Sequence, residues 1–223
     1  MNPRGKPWYR FIRWAARYLF FGALGGMRSE DSQKVPMEGP VILAPVHFSY
    51  LDPMIVSCGT ARAVSFMAKK ELFEVFGLGW LIRSLDAFPV ERGAGDSAAI
   101  RHAIEMLQQG RALILFPEGT RGDGKTLGPI TPGVAMLARR TGAKIVPVGV
   151  VGTQVAWPKH QKRPRRHRTK VIYGDPFTYE EATAGLGEKE KRTAFAEYLS
   201  QRLIELCARG GLILALPPKS TDD

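Results

Sequence analysis

Cysteine is nearly absent. Cys58 and Cys207 are the two in 223 residues. Two cysteines cannot supply a disulfide framework or a cysteine-rich metal site, and a reducing compartment is the simpler setting. Long apolar runs are missing too. A spanning helix needs roughly 18–20 uninterrupted apolar residues, and the best candidate, Trp14 to Met27, is cut by Arg17. Arg10, Arg13 and Arg17 also invade the stretch that a secretory signal would keep apolar, so this segment does not read as a leader. Acids are scarce exactly where bases are dense: neither residues 1–28 nor residues 159–170 contain an Asp or Glu. Over the whole chain 21 acids face 32 Lys and Arg, a formal charge of +11, and the pI is near 9.9. That balance excludes an acidic-tail protein. It points to an anionic partner: a membrane surface, a nucleic acid or a phosphate-bearing substrate. With 44% hydrophobic and 24% charged residues, a core can form and global disorder is excluded.

What is present begins with an amphipathic segment. Trp8, Phe11, Ile12, Ala15 and Leu19 share one helical face, Arg10, Arg13 and Arg17 the other, and Trp14 and Tyr18 sit at the border. Such a helix suits a lipid headgroup layer; the alternative is a cap packed on the body of the protein. A polar linker is expected from Arg28 to Gly39. Beyond it, Val41–Ala44, Ala63–Met67, Ala112–Phe116, Ile145–Val151 and Val171–Tyr173 read as strands, and Phe88–Val90 as a short extended piece. Pro53–Gly59 reads as a helix with Asp52 as its N-cap. Lys70–Leu85 is helix-like but broken by Gly77 and Gly79. Asp96 is placed to cap a helix stopped by Gly110, Pro132–Thr141 ends at Gly142, and Glu188–Arg209 is long and amphipathic. Continuous apolar strands alternating with helices predict an α/β fold: a mainly parallel or mixed central sheet flanked by helices, preceded by the N-terminal amphipathic helix. A membrane-associating segment over 1–28, a main domain over 29–216 and a frayed tail over 217–223 are expected.

The chemistry concentrates after the first strand, at His47-Phe48-Ser49-Tyr50-Leu51-Asp52-Pro53. A turn between a strand end and a helix start can bring residues i and i+5 together. Asp52 then accepts from one ring nitrogen of His47 and leaves the other free as a base. No G-x-S-x-G elbow is present, and neither cysteine has a nucleophile's setting. A His–Asp pair without a protein nucleophile points to a base that activates a hydroxyl of the substrate; the alternative is a capping Asp beside a hydrogen-bonded loop His. Three further segments place cations after strand-like ends: Phe116-Pro117-Glu118-Gly119-Thr120-Arg121-Gly122, Phe88-Pro89-Val90-Glu91-Arg92-Gly93 and Ala68-Lys69-Lys70. Each alone reads as a solvated turn. Together in one α/β sheet they are better explained as converging on one phosphate. His102, His160 and His167 are scattered, and no metal-ligand cluster is evident.

His47 to Asp52, Phe88 to Gly93, Phe116 to Gly122 and Ile145-Val146-Pro147-Val148-Gly149 resemble, in order and spacing, the four motif blocks of glycerolipid acyltransferases, most closely the 1-acylglycerol-3-phosphate acyltransferases. The resemblance spans roughly residues 35 to 180. It implies transfer of an acyl group from a thioester, on coenzyme A or acyl carrier protein, to a hydroxyl of a glycerol-phosphate lipid, with lysophosphatidic acid as the acceptor. No cofactor or metal is implied. By the same resemblance, His47 is the general base and Asp52 its partner. Arg92 and Arg121, with Lys69, hold the acceptor phosphate. Glu118, Gly119 and Thr120 shape the glycerol end, and Val146 and Pro147 line the acyl or thioester path. The family's N-terminal membrane-docking helices match the amphipathic segment. Two departures stand out. Val46 precedes the histidine where the family usually has Asn, and Thr131-Pro132-Gly133 replaces a basic residue before Gly.

The loop from Lys159 to Lys170 carries seven cations, with Pro158 and Pro164 arguing against a regular helix. It suits anionic headgroups, the phosphates of coenzyme A, or the acidic face of acyl carrier protein; a solvated loop with diffuse attraction to anions is the simpler alternative. A nucleic-acid binder is permitted by charge but shows no helix-turn-helix, zinc-finger or RRM signature. Removing the six cations of residues 1–28 and the seven of this loop turns the formal +11 into −2. The body is thus slightly acidic, and the two basic segments fit a protein held peripherally or monotopically on the cytoplasmic face of an anionic membrane.

Overall fold

The computed structural model describes residues 4–90 and 97–216; Arg92, Asp96 and the tail from 217 lie outside them. Five buried residues, Val41–Pro45, form β2 at the centre of a seven-stranded sheet. The other strands are β1 (Met27–Glu30), β3 (Val64–Lys69), β4 (Ala87–Val90), β5 (Ala112–Ile114), β6 (Lys144–Val151) and β7 (Thr169–Tyr173), in the order β1-β7-β6-β2-β5-β3-β4. Strands β6, β2, β5, β3 and β4 are mutually parallel; β7 runs antiparallel to β6 and takes β1 with it. The sheet is therefore mixed, with a parallel block of five. Apolar runs such as Val41–Ala44 carry no alternation because both faces are covered.

The helices are α1 (Pro7–Ala15), α2 (Phe21–Ala23), α3 (Asp52–Gly59), α4 (Leu78–Ser84), α5 (Ser97–Gln108), α6 (Pro132–Thr141), α7 (Thr153–Ala156), α8 (Tyr179–Ala182) and α9 (Glu188–Arg209). The step from β2 through α3 to β3 runs one way along the sheet, whereas those through α5 and α6 run the other way. Right-handed crossovers then place α3 on one face and α5 and α6 on the opposite one. Helix α6 ends where expected, at Gly142 in the left-handed region (φ +62°).

Two expectations change. The Arg28–Gly39 stretch is not all linker, because Met27–Glu30 pairs with β7; an edge strand with one neighbour needs little apolar character, so Met-Arg-Ser-Glu gave no strand signal. Lys70–Leu85 divides at the glycine break into a 3₁₀ turn over Lys70–Phe73 and α4. The N-terminal segment turns Arg13 and Arg17 toward the body, while Arg10 stays exposed. Arg17 donates to the Cys58 carbonyl (3.1 Å) and Arg13 to that of Ala61 (3.1 Å), at the C-terminal end of α3. The Cys58 carbonyl belongs to the last turn of α3, lacks an intrahelical donor and carries the negative end of the helix dipole, so it draws a guanidinium group; Ala61 lies just past the helix. Tyr9 is buried on the same side, while Phe11, Trp14, Tyr18 and Leu19 are more than half exposed.

Candidate active site

All five parallel strands end at one edge of the sheet, which brings distant segments together. Past β2, the Val46 N–H still joins the Val148 carbonyl (3.2 Å). The chain then wraps around its own Asp52. One oxygen, Oδ2, accepts from the Phe48 N–H and the Ser49 N–H (2.7 Å each) and lies 3.0 Å from His47 Nδ1. Asp52 is completely buried, and its other oxygen has no partner. Asp52 was expected to cap α3; instead it opens the helix as its first residue, and its carboxylate faces back into the loop. An ionised carboxylate only accepts, so Nδ1 carries the proton and Nε2 presents a lone pair.

The third motif block fixes His47 from the other side. The His47 ring lies on Phe116 with centroids 3.8 Å apart. Its N–H donates to Glu118 Oε1 (2.9 Å), and its carbonyl accepts from the Gly122 N–H (2.8 Å). The second oxygen of Glu118 accepts from the Gly128 N–H (2.8 Å). Glu118 is thus turned to backbone donors. Burial pushes its carboxyl above the usual carboxylate range, opposed by these two N–H groups. Gly128 is a close approach: a Cβ there would sit 2.9 Å from Glu118 Oε2.

No serine or cysteine here is arranged as a nucleophile. Ser49 is buried and its hydroxyl donates to the Trp157 carbonyl (2.7 Å). Cys58 and Cys207 are buried, and desolvation pushes their thiols up to about 11 and about 12. Among the described residues no group of three or more His, Cys, Asp or Glu could hold a metal ion.

The cations gather around Tyr50. The Arg121 guanidinium lies 3.8 Å from the centroid of its ring, and one Arg121 nitrogen is buried without a partner. Hydrogen bonding from Arg121 and then its charge, followed by the charges of Lys69 and Lys159, draw the Tyr50 phenol below its ordinary pKa. Trp157 meets the same ring at 5.4 Å. Gly119 takes the left-handed turn (φ +67°) that starts this loop, and Thr120 is exposed beside it. Arg92 lies outside the described residues. Val146 and Pro147 are buried in mid-β6 opposite Leu43 and Ala44. The basic loop is tied down at both ends: the Trp157 indole donates to the Gln161 carbonyl (2.9 Å), and the His167 N–H to the Leu24 carbonyl (2.6 Å). Sequence reasoning passed over Tyr50, Trp157 and Gly128. The first lies inside the His-to-Asp motif, where an aromatic beside an expected phosphate-binding Arg is a readable signal. The other two carry none.

Residues 26–151 match the family model described as Acyltransferase. The chain is 29% identical over 200 residues to the 1-acyl-sn-glycerol-3-phosphate acyltransferase of Bacillus subtilis (strain 168), spanning 89% of this chain and 96% of that protein. It is 32% identical over 173 residues to the enzyme of that name from Streptococcus pneumoniae (strain ATCC BAA-255 / R6), spanning 76% of this chain and 62% of that protein. The crystal structure of the 1-acyl-sn-glycerophosphate acyltransferase from Thermotoga maritima superposes with a TM-score of 0.71 at 27% identity, covering 90% of this chain and 81% of that one.

Proposed function

The chain belongs to the acyltransferase family, and from that premise we propose that it moves an acyl group from a thioester, on coenzyme A or acyl carrier protein, to the free hydroxyl of lysophosphatidic acid, giving phosphatidic acid. The observation that carries this reading is the His47–Asp52 pair (3.0 Å) beside the cations at the carboxyl edge of a parallel sheet. The acceptor hydroxyl gives its proton to His47 Nε2 as its oxygen attacks the thioester carbonyl. Asp52, hydrogen-bonded at Nδ1, stabilises the imidazolium. The tetrahedral intermediate collapses with cleavage of the C–S bond, and the thiolate takes the proton back from His47. Arg121 and Lys69, joined by Arg92, hold the acceptor phosphate. Glu118 acts through the His47 peptide, which it holds in place.

Attachment to the membrane is peripheral or monotopic, on the cytoplasmic face. Among the described residues, no helix is long and apolar enough to cross a bilayer. The face that α1 turns away from the body supports the reading: Trp80, Trp8, Phe11, Trp14 and Tyr18 form a chain of rings with successive centroids 5.5 to 6.2 Å apart. Aromatic rings of this kind favour the membrane–water interface.

The test is incubation with lysophosphatidic acid, glycerol 3-phosphate and other lysolipids, each with acyl-coenzyme A and acyl carrier protein donors, and identification of products by mass spectrometry. Phosphatidic acid is the expected product. His47→Ala is expected to lose about 10²–10⁴ in kcat while staying folded, and Arg121→Ala to raise the acceptor KM. A folded His47→Ala protein with near-parental turnover would remove the mechanism.

A further inference from the structure

Tyr50 lies three residues past the catalytic base, and its ring is half exposed (51%) at the mouth of the site. A large aromatic side chain half in solvent gains little from core packing, so its surroundings matter. Its ring meets the Arg121 guanidinium at 3.8 Å and Trp157 at 5.4 Å. Flanking it, the Ser49 hydroxyl donates to the Trp157 carbonyl (2.7 Å), and Leu51 is completely buried. The backbone under Tyr50 is therefore fixed on both sides while its ring projects outward.

Arg121 has the opposite problem. It belongs to a loop whose neighbours Gly119 and Thr120 are exposed, and a free arginine side chain samples many rotamers. A guanidinium lying against an aromatic ring loses that freedom, keeps its charge, and leaves its edge N–H groups available. Bidentate binding of a phosphate uses that edge. One Arg121 nitrogen is buried with no protein partner, as expected of a donor arranged for something the protein does not supply.

We infer that Tyr50 is a positioning residue for acceptor recognition: its ring holds the Arg121 guanidinium in the orientation that receives the acceptor phosphate. The inference rests on the acceptor reading above. Lys69 and Lys159 also act electrostatically on the Tyr50 phenol, so the ring sits where the cations from β3, the β5 loop and the basic loop meet.

The experiment uses the full chain with lysophosphatidic acid and, as a phosphate-free comparison, monoacylglycerol. Tyr50→Leu is expected to raise the KM for lysophosphatidic acid about 3- to 30-fold, the range of a partly desolvated cation–aromatic contact. The monoacylglycerol KM should move less than twofold, and the loss should fall on KM rather than kcat. Tyr50→Phe, which keeps the ring contact and loses only the phenol's hydrogen bond to Arg121, should recover part of the loss. In an Arg121→Ala background Tyr50→Leu should add almost nothing, because the group it positions is gone. Additive losses, or equal effects on both acceptors, would overturn the inference, as would an unchanged KM in Tyr50→Leu while Arg121→Ala raises it. An unchanged KM in Arg121→Ala itself would defeat the phosphate reading first and this inference with it, so the two failures are told apart. Tyr50 is half exposed, so its variants are expected to fold, and a thermal melt of each checks this.

Discussion

Replacement of Asp52 by Asn separates the roles of its two oxygens. Oδ2 collects the Phe48 N–H, the Ser49 N–H and His47 Nδ1, at 2.7, 2.7 and 3.0 Å, while Oδ1 is buried and partnerless. An Asn has only one acceptable orientation here. With its amide oxygen on the three donors, the loop and the His47 tautomer survive, and the NH₂ lands where the partnerless oxygen lay. Turned over, the NH₂ would face two backbone N–H groups and orphan both, at about 1–3 kcal/mol each. The oxygen is therefore pinned, and what disappears is the negative charge behind the imidazole. At an effective dielectric near 20, a charge pair roughly 4–5 Å apart contributes about 4 kcal/mol. The imidazolium that forms during attack loses up to that amount, a fall of roughly 10²–10³ in kcat. A tautomer reversal would cost more, about 10⁴ in the serine-protease precedent. Asp52→Asn should also lose about 1–3 kcal/mol of stability for its buried, unpaired NH₂. Asp52→Ala should lose about 2–6 kcal/mol, since it strips the acceptor from two buried N–H groups. The assays are steady-state thiol release from acyl-coenzyme A with lysophosphatidic acid, and denaturant unfolding of all three proteins. A kcat for Asp52→Asn within threefold of the parent would refute the electrostatic role. Equal destabilisation by Asn and Ala would refute the pinned oxygen.

Glu118→Gln should show a pH-dependent stability gap. Burial raises the Glu118 carboxyl above its unfolded value, so its contribution is fully present below the unfolded pKa, about 4.3, and is lost as pH rises through the folded one. Comparing denaturation midpoints from about pH 4 to about pH 7, the balance should therefore move in favour of the Gln variant, and a gap independent of pH would contradict the assignment. Gly128→Ala forces a Cβ to within 2.9 Å of Glu118 Oε2; turnover should fall severalfold with a small loss of thermal stability, and unchanged turnover would mean that the Glu118 clamp does not govern His47. Phe11→Ser with Trp14→Ser removes two rings that are 55% and 51% exposed. Sedimentation with anionic vesicles should weaken by at least tenfold at about 1.5 kcal/mol or more per ring, with the melting temperature unchanged; vesicle binding at the parental level would sink the docking face.

The His47–Asp52 pair could be anticipated from sequence because it is local. Five residues, a buried strand before them and a proline-started helix after them leave few ways for the turn to close. The same holds for Pro132–Thr141 and Glu188–Arg209, whose ends carry their own stop signals. What could not be read was decided by groups that have no partner in their own segment. The Cys58 carbonyl in the last turn of α3 and the Ala61 carbonyl just past it draw Arg17 and Arg13 inward, which leaves the aromatic side of the N-terminal helix facing out. The two N–H groups of Phe48 and Ser49 take the Asp52 carboxylate that helix-capping rules assign to α3. The Tyr50–Arg121 contact joins residues far apart in sequence, and it exists because β2 and β5 are parallel neighbours. Parallel strands end at the same edge, so the loops that follow them must meet there. The continuous apolar runs, alternating with helices, are the sequence signal of that parallel arrangement. They foretold that the blocks would converge, whereas which atoms touch was set afterwards by the unmet hydrogen-bonding needs of backbone at that edge.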